Sequence, residues 1–220
     1  MQSSILLLIT IALSICSFLQ SVDALNERTK SQDVCKNAKV LENGEQIRGG
    51  SCSVTVQGEI PNENSMVSTT IFFPPNGGVI QAKKTFTIVT KTINLNTGFF
   101  SDPAKEYYIF PQTLGKNGLI QGHSHVTVQK FENGQQILDP KKFAFFKGLN
   151  NNAKVNGELN LEVPGGLDVG SYRLCTMVSS FTHQPVLMPV AQRGAQDDCV
   201  RFKVANQGKK KRSLKKRYVN

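Results

Sequence analysis

At 220 residues, with 39% apolar content and no tryptophan, the chain has room for one sizeable domain built on aliphatic and phenylalanyl side chains. Its 26 basic and 16 acidic residues give a formal charge of +10, but seven of the basic residues crowd one short stretch near the C-terminus. Most of the basicity therefore belongs to a tail, which excludes a broadly basic fold surface as its source.

The chain starts with MQSSILLLITIALSICSFLQSVDA. An apolar run from Ile5 to Leu19 is followed by small residues at Val22 and Ala24. This pattern predicts a secretory signal peptide over 1–24, cut after Ala24, because the run is short for a membrane span of about 20 residues. A second stretch long enough to cross a bilayer is not found, so an exported protein without a transmembrane segment is expected. Cys16 leaves with the signal. Cys35, Cys52, Cys175 and Cys199 remain, an even number that suits two disulfides in an oxidising compartment. Three connectivities are open; pairing Cys35 with Cys52 and Cys175 with Cys199 closes the shortest loops. CxxC spacing is absent, which argues against a zinc site built on thiolates. An Asn-x-Ser/Thr sequon is absent too.

Residues 25–50 are polar and expected to be irregular, tied down by Cys35 and Cys52. From 51 to 205 short runs alternate with a period of two, the signature of strands with one buried face. They are SVTVQGEI (53–60), KTFTIVTKTINL (84–95), HVTVQKF (125–131), KFAFF (142–146), NGELNLEVP (156–164), SYRLCTMV (171–178) and CVRFKV (199–204). In the fifth of these Leu159, Leu161 and Val163 share a face. Asn76-Gly77-Gly78, Asn117-Gly118, Asn133-Gly134 and Pro164-Gly165-Gly166 supply turns. The expected fold is all-β, an antiparallel β-sandwich of immunoglobulin-like type, with a barrel as the competing closure. One short helix is expected after Asp139-Pro140, with Asp139 as N-cap.

Residues 121–127, QGHSHVT, carry two of the three histidines. On a strand His123 and His125 point to the same side. With His183, from FTHQPVLMP, they would offer three imidazoles and an open position, a set that suits copper or zinc. Against this stands the plainer reading of one solvent-facing and one hydrogen-bonded histidine. Ser124 points away from both rings and is badly placed as a nucleophile; GxSxG and HExxH are absent. Asp197-Asp198 reads as the solvated start of a strand. The windows TFTIVT and KFAFF are β-prone and low in charge, which favours self-association through strands if they are exposed.

The tail, 206–220, contains Lys209, Lys210, Lys211, Arg212, Lys215, Lys216 and Arg217 and no acid. It reads as a nuclear localisation signal for an importin, as a polybasic arm, or as dibasic processing sites.

The segments GLIQGHSHVTVQKF, LDPKKFAFFKGLN and VPGGLDVGSYRLCTMVSSFTHQPVLMPVAQRGAQDDCVRFKV together resemble small secreted proteins of basidiomycete fungi and, within them, the rust transferred proteins of rust fungi. The resemblance covers about two thirds of the chain, and its GHSH and HQP segments match His123, His125 and His183. It implies a non-enzymatic effector secreted from the haustorium into the extrahaustorial matrix. It further implies passage into the host cytoplasm and nucleus, filament-forming behaviour, and a likeness to inhibitors of cysteine proteases. The expected function is thus a self-assembling effector. The first alternative is an inhibitor that inserts the loops PNGG, VPGG and FTHQPV into a host papain-like protease. The second is a metal-binding protein using the three histidines.

Overall fold

The computed structural model describes residues 34–132 and 137–206. Nine strands run through it: β1 Ser68–Phe73, β2 Val79–Gln81, β3 Phe86–Ile93, β4 Leu95–Asn96, β5 Ile120–Phe131, β6 Phe145–Leu149, β7 Glu158–Val163, β8 Gly170–Ser180 and β9 Cys199–Ala205. A single turn of 3-10 helix at Glu63–Ser65, capped by the Asn62 side chain, precedes β1. Among the described residues no helix is long and apolar enough to cross a membrane.

Two sheets face each other. One has the order β1-β3-β7; the other has the order β2-β9-β8-β5-β4, with β6 on the far side of β5. The main pairings are antiparallel, as the alternation indicates, while the short strands β2 and β4 pair parallel with β9 and β5. Period-two burial explains the assembly. Ile71, Ile88, Leu159, Leu161 and Val163 of the small sheet meet Val126, Val128, Leu174, Phe202 and Val204 of the large one in a common core. Tyr172 is buried at the start of β8, and its hydroxyl donates to the Asp168 carbonyl at 2.9 Å, the corner contact that ties a strand to the loop before it in many sandwiches. Both disulfides join nearest partners. Cys175 and Cys199 sit directly opposite each other on β8 and β9, with Cα atoms 4.1 Å apart, and Cys35 bonds Cys52 in the irregular N-terminal segment.

Several local expectations need correction. Residues 53–60 form no strand. Val54 and Val56 are 68% and 71% exposed, and the segment contributes only a bridge from Gly58 to Gln112. Alternation there has no neighbouring sheet to bury against. The strand expected at 142–146 begins at Phe145 and runs to Leu149. Residues 68–73 form β1, which the sequence reading omits. No helix follows Asp139. Its carboxylate instead accepts from Lys141 N–H at 2.9 Å in a tight Asx turn, and the Gln129 amide donates to the carbonyls of Asp139 and Lys142, which diverts carbonyls a helix would need. The acids at 197 and 198 are partly buried pins rather than a solvated pair. Asp197 accepts from Thr176 Oγ1 and Val178 N–H, while Asp198 accepts from Ile71 N–H at 2.8 Å and so links the two sheets.

Candidate metal centre

The even-numbered residues of β5 face the core, so His123, His125, Thr127 and Gln129 face outward. Opposite them on β8 stand Ser179, Met177, Cys175 and Arg173. Two segments close over the upper part of this outer face, 97–110 and the turn after β8, and Phe146 of the neighbouring strand β6 packs on it from the side. Gly122 opens the GHSH run because β8 approaches so closely; a Cβ there would lie 2.1 Å from the Ser179 carbonyl oxygen.

His183 arrives from the turn after β8. Its backbone has φ of +73°, a left-handed conformation that costs a non-glycine residue on the order of 1–3 kcal/mol. The strain is held by Ser180 N–H donating to the Gln184 carbonyl and by His183 N–H donating to the Ser180 carbonyl. The outcome is convergence of the three histidines, with one ligating nitrogen from each lying within 4.8 Å of the others. His123 Nε2 is 3.0 Å from His183 Nδ1 and 3.3 Å from His125 Nε2. Among the described residues no carboxylate or cysteine joins this group.

The remaining ring nitrogens fix the protonation pattern. His123 Nδ1 lies 3.0 Å from the Phe99 carbonyl, and His183 Nε2 lies 3.1 Å from the Ser101 carbonyl. A carbonyl only accepts, so each of these nitrogens carries the proton. His123 Nε2 and His183 Nδ1 are then bare and point lone pairs at each other across 3.0 Å. His125 Nε2–H can satisfy one of them at most. A cation between them would relieve this opposition, and a proton is poorly suited to the task. Burial first, then the neighbouring His125 and His183, push the His123 ring down to about 3, against the raising effect of Phe99. Burial and His183 push His125 down to about 4, with the Met177 backbone opposing, and burial lowers His183 as well. His125 Nδ1 is buried without a hydrogen bond of ordinary geometry.

The donor set fits a transition-metal ion. Metal–imidazole bonds of 2.0–2.1 Å around a tetrahedral ion set nitrogens about 3.3 Å apart, near the two short separations here. Backbone carbonyls on the second ring nitrogens orient the ligands. Those carbonyls are themselves fixed, because Phe99 N–H donates to Gly122 O and Ser101 N–H to Phe181 O. An aromatic shell surrounds the group: Phe100 meets His123 edge-on, Tyr107 stacks on His183 at 5.8 Å, and Phe146 stacks on His125 at 5.5 Å. The sequence reading missed Phe99 and Ser101, which act through backbone oxygen and leave no trace in residue type.

Other expected features are not assembled into a site. Ser124 Oγ donates to the His125 carbonyl and not to an imidazole. The VPGG loop precedes β8 and FTHQPV follows it, which puts them about 30 Å apart at opposite ends of that strand, so those loops do not form one edge. TFTIVT lies largely in β3, the central strand of its sheet, with both edges paired. The signal peptide 1–24 and the basic residues 209–217 lie outside the described residues.

A two-sheet, disulfide-bonded β domain with three outward-facing histidines gathered under aromatic loops is thus the class of protein the geometry defines. The chain belongs to the CLU5d N-terminal domain family, whose model matches residues 69–205. It is 52% identical over 167 residues to pathogenicity cluster 5 protein d of Colletotrichum graminicola. That alignment covers 74% of this chain and 35% of the relative, so the chain spans about a third of the relative's length. These matches overturn the resemblance to rust transferred proteins. The GHSH and HQP segments that carried it lie inside the CLU5d match.

Proposed function

We propose that this protein is a secreted, virulence-associated β domain that acts by holding one transition-metal ion, copper above all, between His123, His125 and His183. The observation that carries the metal reading is the pair of bare nitrogens facing each other at 3.0 Å with their other nitrogens committed to carbonyls. Copper is favoured over zinc because three neutral imidazoles without a carboxylate suit the ion that nitrogen ligands hold most tightly. The virulence association rests on the printed name of the Colletotrichum relative, and secretion on the two disulfides together with the signal-like N-terminus. The domain is read as a metal-holding module without a reaction of its own.

The test is metal analysis of protein prepared from culture medium without chelators, followed by titration of the stripped protein with copper and with zinc. One equivalent of copper per chain is expected, with uptake abolished in His123→Ala. Protein that carries no metal and takes up neither ion would end the reading.

A further inference from the structure

The outer face of β5 and β8 continues past the histidines into a groove of about 330 Å³ that the metal centre does not use. Its floor is Thr127 and Cys175, the latter held in its disulfide with Cys199. Phe143 and Phe146 wall it on one side, and Met177 closes the end nearest the histidines. At the other end stands Arg173, opposite Gln129.

Arg173 is placed as an anion receptor. One Nη donates to Gln129 Oε1 at 2.6 Å, and Gln129 is itself held by the Asp139 and Lys142 carbonyls, so the guanidinium is fixed in orientation before any ligand arrives. Its Nε is buried and has no acceptor. Among the described residues no carboxylate forms an ion pair with it. Leaving a charged group without an anionic partner is costly, and a guanidinium already fixed in orientation can offer its remaining Nη–H donors to a carboxylate entering the groove.

An apolar trough with a fixed cation at one end specifies the chemistry of its occupant. We propose that the groove along Thr127, Cys175, Phe143 and Phe146 binds an amphiphilic carboxylate, its acid group on Arg173 and its apolar body running toward Met177. The distance from Gln129 to His125 along β5 is four residues, about 13 Å. Because Met177 pairs with His125 in register, and Phe146 both stacks on His125 and walls the groove, the far end of the ligand comes to rest beside the histidine cluster. The site stands on the arginine and the groove and does not need a metal.

Decanoate and its charge-reversed counterpart decyltrimethylammonium are the probes, each titrated calorimetrically below its micelle concentration into the full disulfide-bonded protein. Decanoate is expected to bind one to one, with affinity falling at least tenfold in Arg173→Gln, while decyltrimethylammonium does not bind. Phe143→Ser, a change at a 56% exposed ring, should weaken decanoate with the fold intact by circular dichroism. It keeps the test alive if Arg173→Gln does not fold. Absence of saturable decanoate binding, equal affinity for both probes, or unchanged affinity in a folded Arg173→Gln protein would each overturn the proposal. Copper uptake measured on the same samples reports on the metal reading separately.

Discussion

The two faces of the large sheet are built from the same strands and obey opposite rules. On the inner face β5, β8 and β9 present Val126, Val128, Leu174, Val200, Phe202 and Val204, all buried against the small sheet. On the outer face, one residue along, β5 and β8 present His123, His125, Gln129, Arg173 and Met177. The inner face is mainly apolar and held by packing, and its buried polar residues, such as Thr176 bonded to Asp197, are hydrogen-bonded. The outer face buries polar groups and leaves some of them unmatched: two bare imidazole nitrogens facing each other, and an Nε without an acceptor. Stability and binding capacity are thereby assigned to alternate residues of one strand, so each can be removed with limited damage to the other.

The sharpest way to break the contrast is to exchange losses across the sheet. His123→Ala should lower copper affinity at least a hundredfold in a competition titration, yet leave the urea midpoint of the metal-free protein close to wild type, since it removes a lone-pair clash along with a buried ring. Phe202→Ala, with the side chain 2% exposed on the inner face, should cost about 3–5 kcal/mol by cavity formation while the folded fraction still binds one copper. If His123→Ala destabilises the metal-free protein as much as Phe202→Ala does, the histidines are core rather than site.

A smaller loss should follow from replacing Cys175 and Cys199 together with serine. Opening a crosslink between residues 24 apart in sequence costs about 2–4 kcal/mol in urea unfolding. Asp198→Ala, which strands the Ile71 N–H inside the sandwich, should cost about 1–3 kcal/mol; Asp198→Asn keeps an acceptor and should cost less. The last effect is graded with pH. In the metal-free protein the rings of His123 and His125 are held near 3 and 4, well under the ordinary 6.5. As pH falls below about 6.5 the unfolded chain takes up protons that the folded one refuses. Stability is therefore full above that pH and lost progressively toward pH 4. Unfolding midpoints from pH 7.5 to 4 should show this slope, and His123→Ala should flatten it.

How much of this could be read from the chain depends on whether the cause is local. Period-two alternation located β3, β7, β8 and β9, because each needs only its own side chains to declare a buried face; Leu159, Leu161 and Val163 are buried as the pattern requires. The same rule misled at Val54 and Val56, where the pattern is present but no neighbouring strand is. It passed over β1, whose Ser-Thr-Thr start hides Thr69 buried against Thr92, their hydroxyl oxygens 3.0 Å apart. The shared side of His123 and His125 was legible as strand geometry. The arrival of His183 was not, since it depends on a turn with positive φ at the end of a strand 60 residues away in sequence. The groove was invisible for the same reason. Arg173 and Gln129 meet only through register, and in sequence each is an ordinary polar residue on a strand.

The turn that delivers His183 would also set the tempo of the proposed metal centre. Two ligands ride on one rigid strand, and the third sits on a strained turn clasped by the Thr182 hydroxyl, 2.8 Å from the Phe110 carbonyl. Two fixed jaws and one sprung jaw would make a latch: an ion bound as proposed would enter and leave by lifting of the turn, without any opening of the sandwich. Exchange should then be much faster than global unfolding, and loosening the clasp should shorten residence more than it weakens capture. Thr182→Val is the variant that reads this, through the rate at which a chelator in excess withdraws copper.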